Sequence, residues 1–373
     1  EHQKYNYQEI VSPLLNKRAL YETSGHWDHY EHSMFNMAIY EDEEIEKVKK
    51  EKGERLAMSQ PVNYSLKPMN CPNAMIVFAF KTRSYRDLPL KLSDTDTLHR
   101  REPSGTLNGL FRIREFRQDD AHIFVDESQI KSQYEELFEI TEKFYSIFGL
   151  KYSFRLGTRP ENFMGDPKLW DKAEKVLKEI LEKSGKEFTI LEGDGAFYGP
   201  KIDILMKDSL GRDWQMGTLQ LDFQIPGRFG LKYSAEDGTQ KIPVVIHRVI
   251  YGSLERFIGI ITEHFAGNFP TWLTPIQVKI LPITERNLDY AQRLSKILKD
   301  NGIRTEVDER NETLGGKIRN AQLEKVAYML IVGDKEESAD AVSVRARDGK
   351  DGGSQPLEKF VGEIKKEIEE KSN

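Results

Sequence analysis

The chain holds a single cysteine in 373 residues, Cys71, so no disulfide framework can form within it, and a reducing, cytoplasmic setting is the expectation. No apolar run is long enough to span a membrane. Neither a Walker-type loop nor a Gly-x-Gly-x-x-Gly fingerprint occurs, which excludes a P-loop or Rossmann nucleotide site. There is no internal repeat and no signal-like segment. The opening, Glu1-His2-Gln3-Lys4-Tyr5, lacks an initiator methionine and reads as the tail of an interrupted element, so an organellar address upstream stays open. A net charge of −6 argues against indiscriminate coating of nucleic acid but leaves room for local basic surfaces.

What remains is an ordinary globular composition on a chain long enough for two domains. Two helices are signalled by their ends. Asp126 with Gln129 three residues later is a capping-box pattern, followed by Ile130, Tyr134, Leu137, Phe144 and Phe148 at helical spacing. Asp166-Pro167 opens the second, with Leu169, Ala173, Val176, Leu177 and Ile180 as its expected buried face and Ser184-Gly185 as its stop. Strands are expected at 152–156, 201–206, 214–223 and 244–248. Such long, partly polar strands with helices to one side predict an α+β fold on a mostly antiparallel sheet over residues 1–268. Beyond a proline-bounded linker, 269–275, short strands and helices alternate, which predicts a small α/β domain over 276–373. The charged stretch 41–55 reads as a solvated helix or loop.

Residues 98–124 carry the densest chemistry. Extended segments flank Ser104-Gly105-Thr106-Leu107-Asn108-Gly109, a run of turn formers that predicts a hairpin. On a regular returning strand, Arg112, Arg114, Phe116, Gln118, Asp120 and His122 share one face, and Phe111, Ile113 and Glu115 the other. A ring among cations suits a nucleotide: the ring stacks a base while arginines fork onto phosphate oxygens. Arg100 and Glu102 on the outgoing strand extend the cluster. The bland alternative is a solvent-facing strand charged for solubility. Further on, residues 244–257 read as a strand, a glycine turn and a helix with Arg256 near its start. A cation there opposes the helix dipole unless an anion sits with it.

These segments resemble the motifs of class II aminoacyl-tRNA synthetases. Tyr7-Gln8-Glu9-Ile10-Val11-Ser12-Pro13 matches the strand ending motif 1. Arg100-Arg101-Glu102 matches motif 2, with His99 where many members carry phenylalanine, and Gly252-Ser253-Leu254-Glu255-Arg256 matches motif 3. Within the class, Thr23-Ser24-Gly25-His26-Trp27, Met69-Asn70-Cys71-Pro72, Gln118-Asp119-Asp120-Ala121-His122 and Gly217-Thr218-Leu219-Gln220-Leu221-Asp222-Phe223 are similar to the threonyl-tRNA synthetases. The similarity runs over nearly the whole chain. Any one motif is weak; the ordered set is specific.

The resemblance implies ATP-dependent activation of L-threonine and its transfer to the 3′ end of threonine tRNA, by a homodimer with no membrane association. It implies zinc at Cys71, His122 and His247, with one side of the ion open to select threonine over valine, and magnesium with ATP. Arg100 and Arg256 would clamp the phosphates and Arg112 the γ-phosphate. Phe116 would lie under the adenine and Glu102 at its edge, with Gln215, Thr218 and Gln220 on ribose and adenylate. Met69, Gln118, Asp120, Tyr198 and Lys201 would line the amino-acid pocket, Asp120 accepting the hydroxyl proton. His26 would act near the terminal ribose of tRNA, as a base titrating near neutrality. Asn311, Glu336 and Arg345 match positions that read the anticodon. Relatives usually carry an editing domain upstream, and these 373 residues contain none, so serine mischarging is expected.

Two departures stand out. Asn73-Ala74 replace the usual Gly-His after Cys-Pro, and Gln215 has the opposite strand parity from Thr218 and Gln220, which demands a bulge or another role. Three rivals compete. Histidines 26, 29 and 32 could form a metal module, but three-residue steps drift around a helix axis. A non-catalytic paralogue need not keep Arg100, Arg112 and Arg256. A synthetase for another amino acid is disfavoured by the Cys71, His122 and His247 set.

Overall fold

A computed structural model describes residues 2–37, 64–208 and 210–371; the charged stretch 41–55 lies outside them. The chain divides into two compact units, Glu1–Ser146 with Leu150–Ile260, and Ile147–Gly149 with Ile261–Asn373. That division falls inside helix Leu254–His264, ahead of the 269–275 stretch.

The first unit is built on an eight-stranded sheet. In chain order its strands are β1 Gln8–Glu9, β2 Leu90–Ser93, β3 Ala121–Val125, β4 Tyr152–Gly157, β5 Phe188–Leu191, β6 Lys201–Lys207, β7 Asp213–Asp222 and β8 Val244–Val249. They lie in the order β1-β2-β3-β8-β7-β6-β4-β5. Pairing is parallel only at the two edges, β1 with β2 and β4 with β5, and antiparallel between.

Helix α1, Cys71–Ala79, has Pro72 in its first turn, where a missing N–H costs nothing. Its Ala74, Met75 and Phe78 pack on Leu90, Leu92, Phe124 and Val245 of the sheet, which seats Cys71 over the strands. Asp126 forms the expected capping box and leads through a 3-10 turn into α2, Ile130–Ile147. Asp166 caps α3, Pro167–Ser184, by accepting from the Lys168 N–H, and Gly185 ends it in the left-handed conformation. The buried face of α3 is Trp170, Ala173, Leu177, Ile180 and Leu181. Leu169 and Val176 are only half-buried, because Trp170, the bulkiest apolar side chain of the helix, turns the stripe toward itself.

One expectation fails here. Residues 111–122 are not one returning strand. Thr97–His99 pairs with Glu115–Arg117 as a separate two-stranded sheet, Asn108 bridges Arg112 in a closed turn, and only Ala121–Val125 joins the main sheet.

The second unit carries a five-stranded sheet, with parallel strands Thr305–Val307, Val278–Pro282 and Tyr328–Val332 followed by antiparallel Ala341–Ala346 and Asp351–Pro356. Val278, Ile280, Leu330 and Val332 pack against Leu294 and Leu298 of one helix and Phe360 and Ile364 of another. Strand Asp351–Pro356 is invisible to hydrophobic periodicity, because its Asp-Gly-Gly-Ser residues are exposed on an edge and read as loop.

Candidate active site

Strand register assembles the site. His122 on β3 pairs with His247 on β8, His247 with Gln220 on β7, and Gln220 with Lys201 on β6. Laterally paired residues share a face, so these far-apart residues stand in one row. One row along, Val249 faces Thr218 and Thr218 faces Asp203.

Cys71 enters from above that row. Its Sγ lies 3.3 Å from His247 Nδ1, and the rings of His122 and His247 meet edge-on at 4.8 Å. Ligand atoms of the three residues all lie within 4.8 Å of one another, and all three side chains are buried. His122 Nε2 is buried without a hydrogen-bond partner. Burial, with His247 beside it, holds the His122 pKa well below the usual imidazole value. His247 goes the other way: burial pushes it down, but Cys71 and the Asp222 carboxylate beside it hold it up to about 10. Asp222 is fully buried, receives His247 Nε2 at 2.9 Å, and also accepts from the Gln224 and Ile225 N–H groups at 2.7 and 2.9 Å. A carboxylate behind an imidazole fixes ring and tautomer and leaves the other nitrogen for a metal.

An orphaned imidazole nitrogen, a second imidazole aimed at a thiol and that carboxylate together fit zinc. Bond lengths of about 2.0–2.3 Å place tetrahedral ligand atoms roughly 3.5 Å apart, so the most separated pair would draw in by about 1.3 Å at most. Among the described residues no other group of three donors is close enough to hold an ion. His29 instead stacks on Phe197 at 4.5 Å, and His32 tilts against Tyr30.

Beside the trio opens a cavity of about 330 Å³ lined by His26, Met69, Gln118, Asp120, Tyr198 and Gln220, among others. Asp120 Oδ2 accepts from Asn70 Nδ2 at 3.0 Å, and the Tyr198 hydroxyl donates to Gln220 Oε1. Burial pushes the Asp120 pKa up to about 6. Lys201 does not line this cavity; its ammonium sits between Asp194 at 3.1 Å and Asp203 at 3.2 Å. Gln220 lies here and not in the arginine cleft described next. His26 is 2% exposed, 2.8 Å from Ser24 Oγ and edge-on to Phe197. Burial first, then the charges of His247, His29, Arg100 and Arg228, lower its pKa to about 3, so it does not titrate near neutrality.

A second cleft of about 230 Å³ is lined by Arg100, Glu102, Phe111, Arg112, Ile113, Phe116, Gln215 and Arg256, with Gln118, Thr218 and Ser253. Arg100, Gln118 and Thr218 line both spaces. The Arg100 guanidinium stands 5.1 Å over the Phe116 ring and donates through Nε to Pro68 O at 3.2 Å. Arg112 pairs with Glu102 at 2.8 Å. Arg256 donates to the carbonyls of Phe111 at 2.8 Å and Gln215 at 3.1 Å, and burial, with Arg112 and Arg100 nearby, lowers its pKa. Cations packed so closely mark a place built for anions. The parity reading goes wrong at both ends: Phe111 and Ile113 line the cleft, whereas Arg114 turns aside to Glu102 O and Ser104 Oγ.

The bulge demanded by Gln215 is present. Ile204 pairs with Gly217 but Leu205 with Gln215, so Met216 is the extra residue. Gln215 Nε2 thereby returns to the face of Thr218 and donates to its Oγ1 at 2.9 Å and to Asp203 Oδ1 at 2.7 Å. Glycine permits the bulge to nest on the turn after β8. A Cβ on Gly217 would meet Ile250 O at 2.2 Å, and one on Gly252, at φ +83°, would meet Met216 O at 2.3 Å.

The tRNA synthetase class II core domain of the G, H, P, S and T group matches residues 56–265, and an anticodon binding domain matches residues 277–367. Threonine–tRNA ligases of Clostridium botulinum and Acetivibrio thermocellus are each 49% identical over the whole chain. The RNA binding domain of threonyl-tRNA synthetase from Cryptosporidium parvum superposes with a TM-score of 0.89 at 36% identity, covering 98% of this chain and 87% of that one. The chain belongs to the threonyl-tRNA synthetase family. It spans 56% of the length of each of the two bacterial relatives.

In this synthetase-family chain the three residues matched to anticodon reading come from three different segments of the five-stranded unit. Asn311 and Glu336 follow the carboxyl ends of parallel strands Thr305–Val307 and Tyr328–Val332, and Glu336 accepts from the Gly333 N–H at 3.1 Å. Arg345 pairs with Met329, three residues before Val332 and so about 10 Å back along the sheet. Three site residues stand inside the quoted motifs but receive no role from them: Asp222 behind His247, Asn70 behind Asp120, and Asp119. The last accepts from the Ile250 and Tyr251 N–H groups at 2.9 and 3.2 Å and pairs with Arg248, tethering the turn that leads to Arg256. Asp222 and Asp119 had a visible signal: each is a carboxylate set in or beside an apolar strand, where charge needs a partner.

Proposed function

We propose that this chain activates L-threonine with ATP and transfers it to the 3′ end of threonine tRNA, a reading supported by relatives named threonine–tRNA ligase. The observation that carries the reading is the junction of a Cys–His–His trio with an arginine-lined cleft through Arg100, Gln118 and Thr218. Residues 1–268 would form the catalytic part and 276–373 the anticodon-binding part, in a homodimer.

Threonine would occupy the larger cavity and ATP, with magnesium, the arginine cleft. Cys71, His122 and His247 would hold zinc, which when bound supplies an open position for the amine and hydroxyl of the amino acid. Asp120 accepts the hydroxyl proton. Valine leaves the second oxygen of that buried carboxylate unpaired, at a cost of about 1–3 kcal/mol, in addition to what the shape of an apolar pocket supplies. Phe116 stacks the adenine under Arg100. Arg100, Arg112 and Arg256 spread over the phosphates, and Arg100, which lines both spaces, stabilises the charge that develops as the amino-acid carboxylate displaces pyrophosphate. His26 stays neutral in its buried setting and serves the tRNA ribose as a hydrogen-bonding partner. Pyrophosphate exchange with threonine, serine and valine, on metal-replete and chelated protein, tests this: threonine-dependent exchange lost on chelation is expected, and no exchange with threonine refutes it.

A further inference from the structure

We propose that Asn70 is a positioning residue that orients Asp120 and thereby sets selection for a β-hydroxyl; the inference rests on the threonine-activating reading above. Asn70 sits at the N-cap of helix Cys71–Ala79, where an asparagine side chain ordinarily accepts a helix N–H. Here it makes no cap bond. Its Nδ2 is instead shared between Asp94 O and Asp120 Oδ2, each at 3.0 Å, while its Oδ1 is buried with no partner. A side chain that forgoes its usual cap and leaves one oxygen orphaned is oriented by its two donor bonds.

The Asp94 end of this bridge is not free to drift. The Asp94 carboxylate takes the Ser12 hydroxyl at 2.5 Å and the fully buried Lys67 ammonium at 3.4 Å, and Lys67 Nζ also reaches Ser12 Oγ at 2.9 Å. Residues 67–71 are strapped at both ends. The Lys67 carbonyl accepts from the His99 N–H, the Pro68 carbonyl from Arg100 Nε, and Cys71 meets His247. Asn70 therefore transmits the position of a rigid strap to one oxygen of Asp120, and Oδ1 is left for the cavity that Asp120 lines. Removing the amide frees the carboxylate to rotate. Substrates with a hydroxyl then lose their acceptor, and substrates without one lose nothing.

Asn70→Ala and Asn70→Asp, compared with the unaltered protein in exchange assays, test the proposal, with zinc content and melting temperature measured in parallel. For threonine and serine alike kcat/KM is expected to fall about 10–100-fold, the range for one hydrogen bond to a charged group. For valine it should stay within about threefold, with zinc content unchanged. Equal losses on all three amino acids, or losses that follow zinc, overturn the proposal, because a merely structural role or a disturbed metal site would act that way. Should neither variant fold, the unaltered protein crystallised with a non-reactive threonyl-adenylate analogue decides. The hydroxyl on Asp120 Oδ1 with Oδ2 still on Asn70 supports positioning, and an Asp120 turned away from Asn70 refutes it. Failure of the unaltered protein to exchange with threonine would sink the activity reading itself, a separate result.

Discussion

Asp222→Asn should loosen zinc without touching any residue of the metal trio. Asp222 accepts from His247 Nε2 at 2.9 Å with one oxygen and from two backbone N–H groups with the other. In the asparagine variant the backbone donors hold the single carbonyl oxygen, and the amide nitrogen then faces His247 Nε2. Two donors cannot face each other, so the neutral imidazole that a metal requires would have to carry its one proton on Nδ1, the nitrogen directed at Cys71. A protonated nitrogen cannot ligate. Carboxylates behind metal-binding histidines are worth roughly 10–100-fold in affinity, and the forced tautomer points to the upper end, about 2.7 kcal/mol. Competition with a chromophoric chelator reads the affinity directly. Melting supplies a second measure: at saturating zinc the metal-induced rise should shrink by up to roughly 5–10 °C, at about 2–4 °C per kcal/mol for a unit of this size. Zinc bound within about threefold of the unaltered affinity would refute the argument, and with it the assignment of His247 Nδ1 as the ligating atom.

Three further outcomes follow from particular contacts. Gly217→Ala would drive a Cβ against the Ile250 and Val249 carbonyls, backbone atoms that cannot swing aside, so a loss of roughly 3 kcal/mol or more is expected in urea unfolding; a change under 1 kcal/mol would contradict it. Glu102→Gln removes a half-exposed pair with Arg112 worth about 0–1 kcal/mol and the proposed hydrogen bond to the base edge worth about 1.5–3, so the second effect wins and the KM for ATP should rise several-fold; a fall would show the pair to be a brake on Arg112. Although burial pushes Asp208 up, donors from Trp214, Arg212 and Leu210 bring its pKa down to about 2. A depressed carboxylate stabilises above its unfolded pKa of about 3.9 and loses that contribution as pH falls through about 2. Between pH 4 and 2 the unaltered protein should therefore lose stability more steeply than Asp208→Asn; parallel acid titrations would rule this out.

Much of the site was legible because its residues are chemically conspicuous in local patterns: a lone cysteine before proline, arginines around a phenylalanine, a histidine closing an acidic run. What sequence parity could not supply was the interruption of the chain between Arg112 and His122. Alternation assumes one strand, and the closed turn at Asn108 with a change of sheet after Arg117 breaks it, so Phe111 enters the cleft and Arg114 leaves it. The reverse happened at Gln215. There a parity mismatch was itself the signal, and the bulge at Met216 is its physical resolution. His26 was misjudged for a different reason. An imidazole's ordinary pKa says nothing of burial, and near-complete exclusion of water overrides it. Lys201 stands in the row with His122, His247 and Gln220, but two carboxylates, neither from a quoted motif, claim its ammonium.

The joint between the two cavities narrows the division of labour among the arginines. In the proposed reaction an amino-acid carboxylate meets the α-phosphorus, so the reacting atoms belong where both spaces are lined by the same residues, Arg100, Gln118 and Thr218. Of these only Arg100 is charged. Its Nε is bound to the Pro68 carbonyl and its plane rests near Phe116 and Tyr30, which leaves the terminal nitrogens to face substrate in a fixed orientation. Arg112 and Arg256 line the cleft alone. Arg256 already spends two of its nitrogens on backbone carbonyls, which suits grip on the distal phosphates more than response to charge that appears only at the transition state. On this geometry the loss of Arg100 falls on kcat, and the loss of Arg112 falls on ATP binding.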